Sequence, residues 1–247
     1  MTEQTKELLR QYADRYETKD FLQGDPSWFM HQVEGSANQE VMAFLASCLS
    51  YGSRPVFMKK IQILLDESHG AVDEWVASGE FQSFFTSEDS NCFYRFYSHG
   101  DMFRLLSTLR SVVREYGSLG EAVCNRVHDG LGAVEVICQL FNANGRSRVI
   151  PVDTTSACKR VCMFLRWMVR KDSPVDLGLW SLGIDRRTLI MPLDTHVMQQ
   201  SNRLGLINSN STSMTTARRL TSILATVFPD DPLRGDFALF GYGVNGL

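Results

Sequence analysis

Apolar residues recur at three- and four-residue intervals along almost the whole chain, and Gly, Pro and Asn break the pattern at spacings suited to helices of moderate length. That period places side chains on one face of an α-helix, whereas a half-buried strand would alternate. The fold class read from it is all-α. Ser36 followed three positions later by Gln39 has the form of a capping box, and it opens a helix with Val41, Phe44, Leu45, Cys48 and Leu49 on one side. Gly52 to Pro55 ends it. A second helix runs through Phe57, Ile61, Leu64 and Leu65, and further helices are predicted near 71–85, 101–115, 119–127, 131–142, 155–171, 194–204 and 213–227. Residues 142–155 (NANGRSRVIPVDTT) lack a periodic apolar stripe and read as a loop.

A chain of 247 residues forms either one large domain or two small lobes sharing a cleft. With 44% hydrophobic and 21% charged residues it is too apolar for disorder, and it contains no uncharged run long enough to cross a membrane. Met1 leads into Thr2, Glu3, Gln4 and Thr5 without the basic start and apolar stretch of a secretory signal, which predicts a cytoplasmic protein without a membrane partner. Six cysteines (48, 92, 124, 138, 158, 162) sit among apolar neighbours without CxxC pairs, so reduced core thiols are expected. Cys158 and Cys162 would share a helix face, yet two thiols without nearby His or further Cys make a poor metal site, and no metal is expected.

The net charge of −3 argues against a protein that coats nucleic acid through its overall field. Locally the balance reverses. Between Lys159 and Lys171 lie five basic residues and no acidic one. In this segment Cys158, Val161, Cys162, Leu165, Met168 and Val169 form the apolar stripe of a helix, while Lys159, Arg166 and Arg170 group on another face. Thr155 or Ser156 is placed to cap the start, which leaves Lys159 in the first turn. A cation is disfavoured there by the partial positive charge of the helix N-terminus. The same field, with Arg160 beside it and partial burial, favours the neutral amine that attacks carbon to form a Schiff base. The plainer reading of the basic residues is a solvated face.

A second marker is IMPLDTHVMQQSNRLGLI (190–207), where Pro192 forces an extended entry, Asp194 caps a helix and Gly205 stops it. Capping alone would explain Asp194. A carboxylate fixed at a helix start is also positioned to stabilise positive charge or move a proton. His196 reads first as a satisfied core histidine, and otherwise as a DNA contact or a minor proton carrier.

A lysine opening an amphipathic helix, then Pro-x-Asp-x-His-Val opening the next, then Arg-Leu-Gly, resembles the catalytic half of the helix-hairpin-helix DNA glycosylase/lyase superfamily. CKRVCMFLRWMVR, PLDTHV and DFALFGYG together resemble a bacterial family, DUF2400, over most of the chain. The superfamily resemblance implies two helical lobes with a cleft between them, all within one unit spanning 1–247. It also implies that Lys159 attacks the sugar of a damaged nucleotide while Asp194 assists and stabilises charge on the sugar. The 35-residue separation of the two is similar to that in the archaeal 8-oxoguanine glycosylases, which implies excision of an oxidised purine from double-stranded DNA by a glycosylase with lyase activity in base excision repair. Where the superfamily has a glycine-rich hairpin before the lysine, VDTTSACK has no glycine. No cysteine follows Cys162, so the iron–sulfur cluster of some glycosylases has no ligands, and no cofactor is expected.

By position, 44–61 resembles the helix-turn-helix that fills the gap left by a flipped base, with Tyr51 and Arg54 as its contacts. CFYRFYSHGDMF (92–103) places aromatics around Arg95, either to stack on a base or to close the core. Arg160, Arg166 and His196 complete the nucleic-acid-binding candidates. Arg186–Arg187 and Arg218–Arg219 are candidate phosphate contacts or ordinary surface charge, and Asp236 is a candidate for facing the cleft. Two alternatives to a glycosylase follow from the same residues: a non-catalytic DNA-binding protein of the same fold, or a helical scaffold whose basic face meets an acidic protein.

Overall fold

The computed structural model describes residues 1–143 and 146–245. It is mostly helical: α1 (Glu3–Tyr16), α2 (Ser36–Leu49), α3 (Arg54–Glu67), α4 (Val72–Ser78), a two-stranded antiparallel hairpin of β1 (Cys92–Tyr94) and β2 (Tyr97–Ser98), then α5 (His99–Tyr116), α6 (Leu119–Cys124), α7 (Gly130–Asn142), α8 (Lys159–Val169), α9 (Thr195–Arg203), α10 (Met214–Ala225) and α11 (Arg234–Asn245). No described helix is long and apolar enough to cross a membrane. The chain divides into two compact units, with one boundary inside α7. Unit 1 comprises 1–23, 128–134 and 154–247, and unit 2 comprises 24–127 and 135–153.

Unit 2 is organised by α2, whose apolar residues are buried nearly all round. Two of its buried polar residues, Asn38 and Glu40, hold the starts of other helices. The Asn38 amide donates to the Gly70 carbonyl at 2.7 Å and its Oδ1 accepts from Val72 N–H at 2.8 Å, which caps α4. Glu40 accepts from the backbone N–H groups of Leu119 (2.9 Å) and Gly120 (3.2 Å) at the start of α6. A carboxylate on N-terminal N–H groups satisfies donors that burial would otherwise leave unpaired. Aromatic contacts Phe44–Phe141, Trp75–Phe85 and Phe85–Phe93 fill the core of this unit.

Unit 1 is built on the antiparallel pairing of α1 with α11, where Tyr12 meets Tyr242, Tyr16 meets Phe240, and Phe21 meets Phe237 and Phe240 edge to face. Gly241 permits this approach, since a Cβ there would lie 2.3 Å from Tyr16 Cδ2. Helix α9 packs on α11 from another side.

Several sequence expectations are corrected by this structure. Ser36 is the first helical residue of α2 and Gly35, at φ +88°, is the N-cap, so no capping box forms there. The helix expected over 71–85 stops at Ser78 because Gly79 turns left-handed at φ +93°. The aromatic run at 92–98 pairs as a hairpin. Helix α8 begins at Lys159, and the N-cap position expected for Thr155 or Ser156 is held by Cys158, whose own side chain makes no cap hydrogen bond. Cys92 is exposed, and the other cysteines are buried or partly buried free thiols. Burial pushes the Cys124 thiol up to about 11, with Glu40 and Glu121 adding to the rise. Helices α1 and α11 were not marked by the apolar period, α1 because its exposed face is dense in charge and α11 because glycine and aromatic residues dilute its stripe.

Candidate functional site

The approach to α8 is held by an isolated bridge between Ser156 and Ser213 and by Ala157 N–H donating to the Thr212 carbonyl at 3.0 Å. Cys158 then takes φ +47°, a left-handed conformation that costs a non-glycine residue about 1–2 kcal/mol. The chain enters the helix abruptly, and Lys159 is the first residue of its first turn. Strain of this kind is retained where the surroundings over-determine it, often beside functional groups.

Asp194 is delivered by an equally constrained segment. Met191 N–H donates to the Thr221 hydroxyl of α10 at 2.9 Å, and Leu193 N–H closes a tight turn around Pro192 onto the Met191 carbonyl at 2.7 Å. Asp194 is the N-cap of α9, its Oδ1 accepting from Val197 N–H at 2.9 Å. Gly205, at φ +66°, follows the end of that helix. With Oδ1 occupied by the cap, Oδ2 stands 3.9 Å from Lys159 Nζ. That separation exceeds hydrogen-bond length, so the pair is held near but not locked together. The lysine side chain is 28% exposed and the aspartate 42%, so both reach solvent.

A second carboxylate belongs to this neighbourhood. Asp236, in the first turn of α11, is in contact with the Arg166 guanidinium and is 17% exposed. Burial raises its pKa, Arg166 opposes the rise, the negative charge of Asp194 adds to it, and Lys159 lowers it. Arg166 also donates to Asp176 at 3.3 Å and lies over the Phe237 ring at 4.7 Å. Arg170, one turn on, contacts Asp176, Asp231 and Glu17. The face expected to be basic and solvated is therefore an internal ion-pair network, and Arg166 is corrected from a nucleic-acid contact to a buried residue with two carboxylate partners.

The remaining candidates fall as follows. Arg160 is half-buried beside Lys159, and His196 is corrected from a core histidine to an exposed residue in the first turn of α9, where its imidazole lies against Gly243 of α11. Arg186 donates to the Asp230 carbonyl at 2.9 Å, Arg187 pairs with Asp185 at 2.6 Å, and Arg218 and Arg219 are exposed. In unit 2, Tyr51 packs against Tyr94 and Tyr97, and Arg95 lies over the Tyr51 ring at 5.5 Å. Arg54 is exposed at the start of α3. Among the described residues, no group of three or more His, Cys, Asp and Glu is arranged to hold a metal ion.

Sequence reasoning gave Asp236 no firm role. The signal was indirect: once Arg166 is buried, a carboxylate must accompany it, because an unpaired internal cation is too costly.

The pair thus joins an amine able to add to electrophilic carbon and a carboxylate able to accept a proton or offset positive charge, with a buried Arg–Asp pair in the same electrostatic environment. No curated protein and no solved structure matches the chain. The model of the family described as "Protein of unknown function (DUF2400)" matches residues 25–245, which leaves α1 outside the match, and the chain belongs to that family.

Proposed function

We propose that this protein is a DNA glycosylase with lyase activity that removes an oxidised purine of the 8-oxoguanine type, with Lys159 as nucleophile and Asp194 assisting. The observation that carries the reading is the 3.9 Å approach of Lys159 Nζ to Asp194 Oδ2 at two constrained helix starts, both side chains open to solvent. Its resemblance to the helix-hairpin-helix glycosylases supplies the substrate class.

The reaction balances without a cofactor. The Lys159 amine adds to C1′ as the C1′–N9 bond breaks, and the purine leaves with that bonding pair and takes up a proton. Asp194 offsets the positive charge that builds on the sugar and accepts the proton lost by the amine. Opening of the sugar ring gives a protonated Schiff base between Nζ and C1′. Loss of a C2′ proton then expels the 3′-phosphate, and water releases the unsaturated aldehyde and regenerates the amine. The target base must leave the duplex for C1′ to be reached.

The test is borohydride trapping. Hydride adds to the imine carbon and leaves a stable secondary amine, so duplex DNA carrying 8-oxoguanine or an abasic site should become covalently attached to the protein. Lys159→Ala should abolish the adduct on both substrates. No adduct from the wild-type protein, with duplex binding intact, would replace this reading with that of a non-catalytic DNA-binding protein.

A further inference from the structure

Unit 2 carries a second face whose composition points outward. Arg95 and Phe96 form the tip of the β1–β2 hairpin, and Phe96 is 72% exposed, the most exposed aromatic side chain among the large hydrophobic residues described on the surface. Arg95 adopts φ +51°, a region that hairpin tips normally fill with Gly or Asn. Its guanidinium lies 5.5 Å from the Tyr51 ring centroid and 5.6 Å from that of Phe96, bridging the two aromatics. Gly52, at φ +81°, makes room for it, since a Cβ there would stand 2.6 Å from an Arg95 Nη1. Tyr94 fixes the hairpin to this turn by donating its hydroxyl to the Tyr51 carbonyl.

The two segments that build this tip carry charge of one sign, with Asp89 and Asp101 flanking the hairpin at its base. From Tyr51 to Leu65 the chain carries Arg54, Lys59 and Lys60 with no acidic residue, and from Ser90 to Gly100 it carries Arg95 with none. Lys60 reaches over the Phe93 ring of β1 at 4.8 Å, which joins α3 to the hairpin. Among the described residues, none of Arg54, Lys59, Lys60 and Arg95 forms an ion pair with a carboxylate. An exposed planar ring, a stacked guanidinium and several cations without carboxylate partners fit a ligand that is polyanionic and offers flat apolar faces. Nucleic acid with an unpaired base has both properties. A fully paired duplex offers the charge but keeps its base faces stacked, and an acidic peptide offers the charge without the planes.

We infer that the Tyr51–Arg95–Phe96 tip and its basic surround bind nucleic acid at an unpaired base, with Phe96 stacking on that base. The inference does not depend on chemistry at Lys159.

The experiment measures fluorescence anisotropy with three labelled probes: a twelve-residue oligothymidylate, a fully paired duplex, and the same duplex with a one-nucleotide bulge. The wild-type chain should bind the single strand and the bulge more tightly than the paired duplex. Because a base–aromatic stack contributes appreciably to affinity, Phe96→Ala should weaken both by about tenfold and the paired duplex by less than about twofold. Phe96 is exposed, so the variant should fold, and unchanged far-UV circular dichroism checks this. Arg54→Ala with Lys59→Ala should weaken all three probes and flatten their salt dependence. Equal losses on all probes in Phe96→Ala, or no binding by the wild-type chain, would overturn the inference. Absence of a borohydride adduct with Phe96-dependent binding retained would remove the lyase reading and leave this one standing.

Discussion

Asp194 has two separable tasks, and one substitution tells them apart. Its Oδ1 caps α9 while its Oδ2 faces Lys159. Asparagine is close to aspartate as an N-cap, so Asp194→Asn should change stability by less than about 0.5 kcal/mol, whereas Asp194→Ala should cost about 1 kcal/mol. Both should cut borohydride trapping at least tenfold, because neither keeps the carboxylate charge. Full trapping by Asp194→Asn would reduce Asp194 to a cap. Lys159 and Asp194 were legible because each is announced by its neighbours: an apolar stripe after the lysine, and proline and glycine at fixed offsets around the aspartate. Asp236 was not, since its importance depends on Arg166, 70 positions away.

Helix α8 shows where periodicity fails. The spacing of Arg166 and Arg170 is the same whether their face meets water or carboxylates, and here it meets Asp176, Asp231, Asp236 and Glu17. Arg170 is 1% exposed and anchors α8 to the end of α1 and to the turn before α11. Removing one member of a buried ion network leaves the others desolvated and uncompensated, typically at about 3–5 kcal/mol. Arg170→Ala should lose that much in urea denaturation followed by circular dichroism. A loss under about 1 kcal/mol would mean that water solvates the network. The hairpin was missed for a related reason: its strands span three and two residues, too short for an alternating pattern to register.

The acid response of the protein follows from carboxylates in both units. At Glu17, burial acts to raise the pKa, but Arg170 and Arg234 more than offset it, and the group titrates below its ordinary 4.5. At Asp101, burial is likewise outweighed by the Ser98 N–H and by Arg104, which hold it below 3.8. A depressed folded-state pKa gives stability that is present above the unfolded value and lost as pH falls through the folded one. Asp176 and Asp236 are raised, by burial first, and have the opposite sign: the folded state takes up their protons earlier, which offsets part of the loss in unit 1. The thermal midpoint should therefore fall between about pH 5 and pH 3, and Glu17→Gln and Asp101→Asn should each flatten the decline. A slope unchanged in both variants would show that other groups govern acid unfolding.

Taken alone, the sequence determined the helical class, most helix positions, the described part of the loop before α8 (residues 144 and 145 lie outside it) and the two residues of the candidate pair, because these depend on local period, capping and turn chemistry within a few residues. Only the tertiary structure decided that Lys159 and Asp194 meet, that Arg166 and Arg170 are internal, that Asp236 shares their environment, and that Phe96 stands exposed beside Arg95. Those outcomes depend on which distant side chains desolvate or neutralise one another. A local pattern shows which faces a helix has, while burial and charge pairing across the fold decide what each face meets.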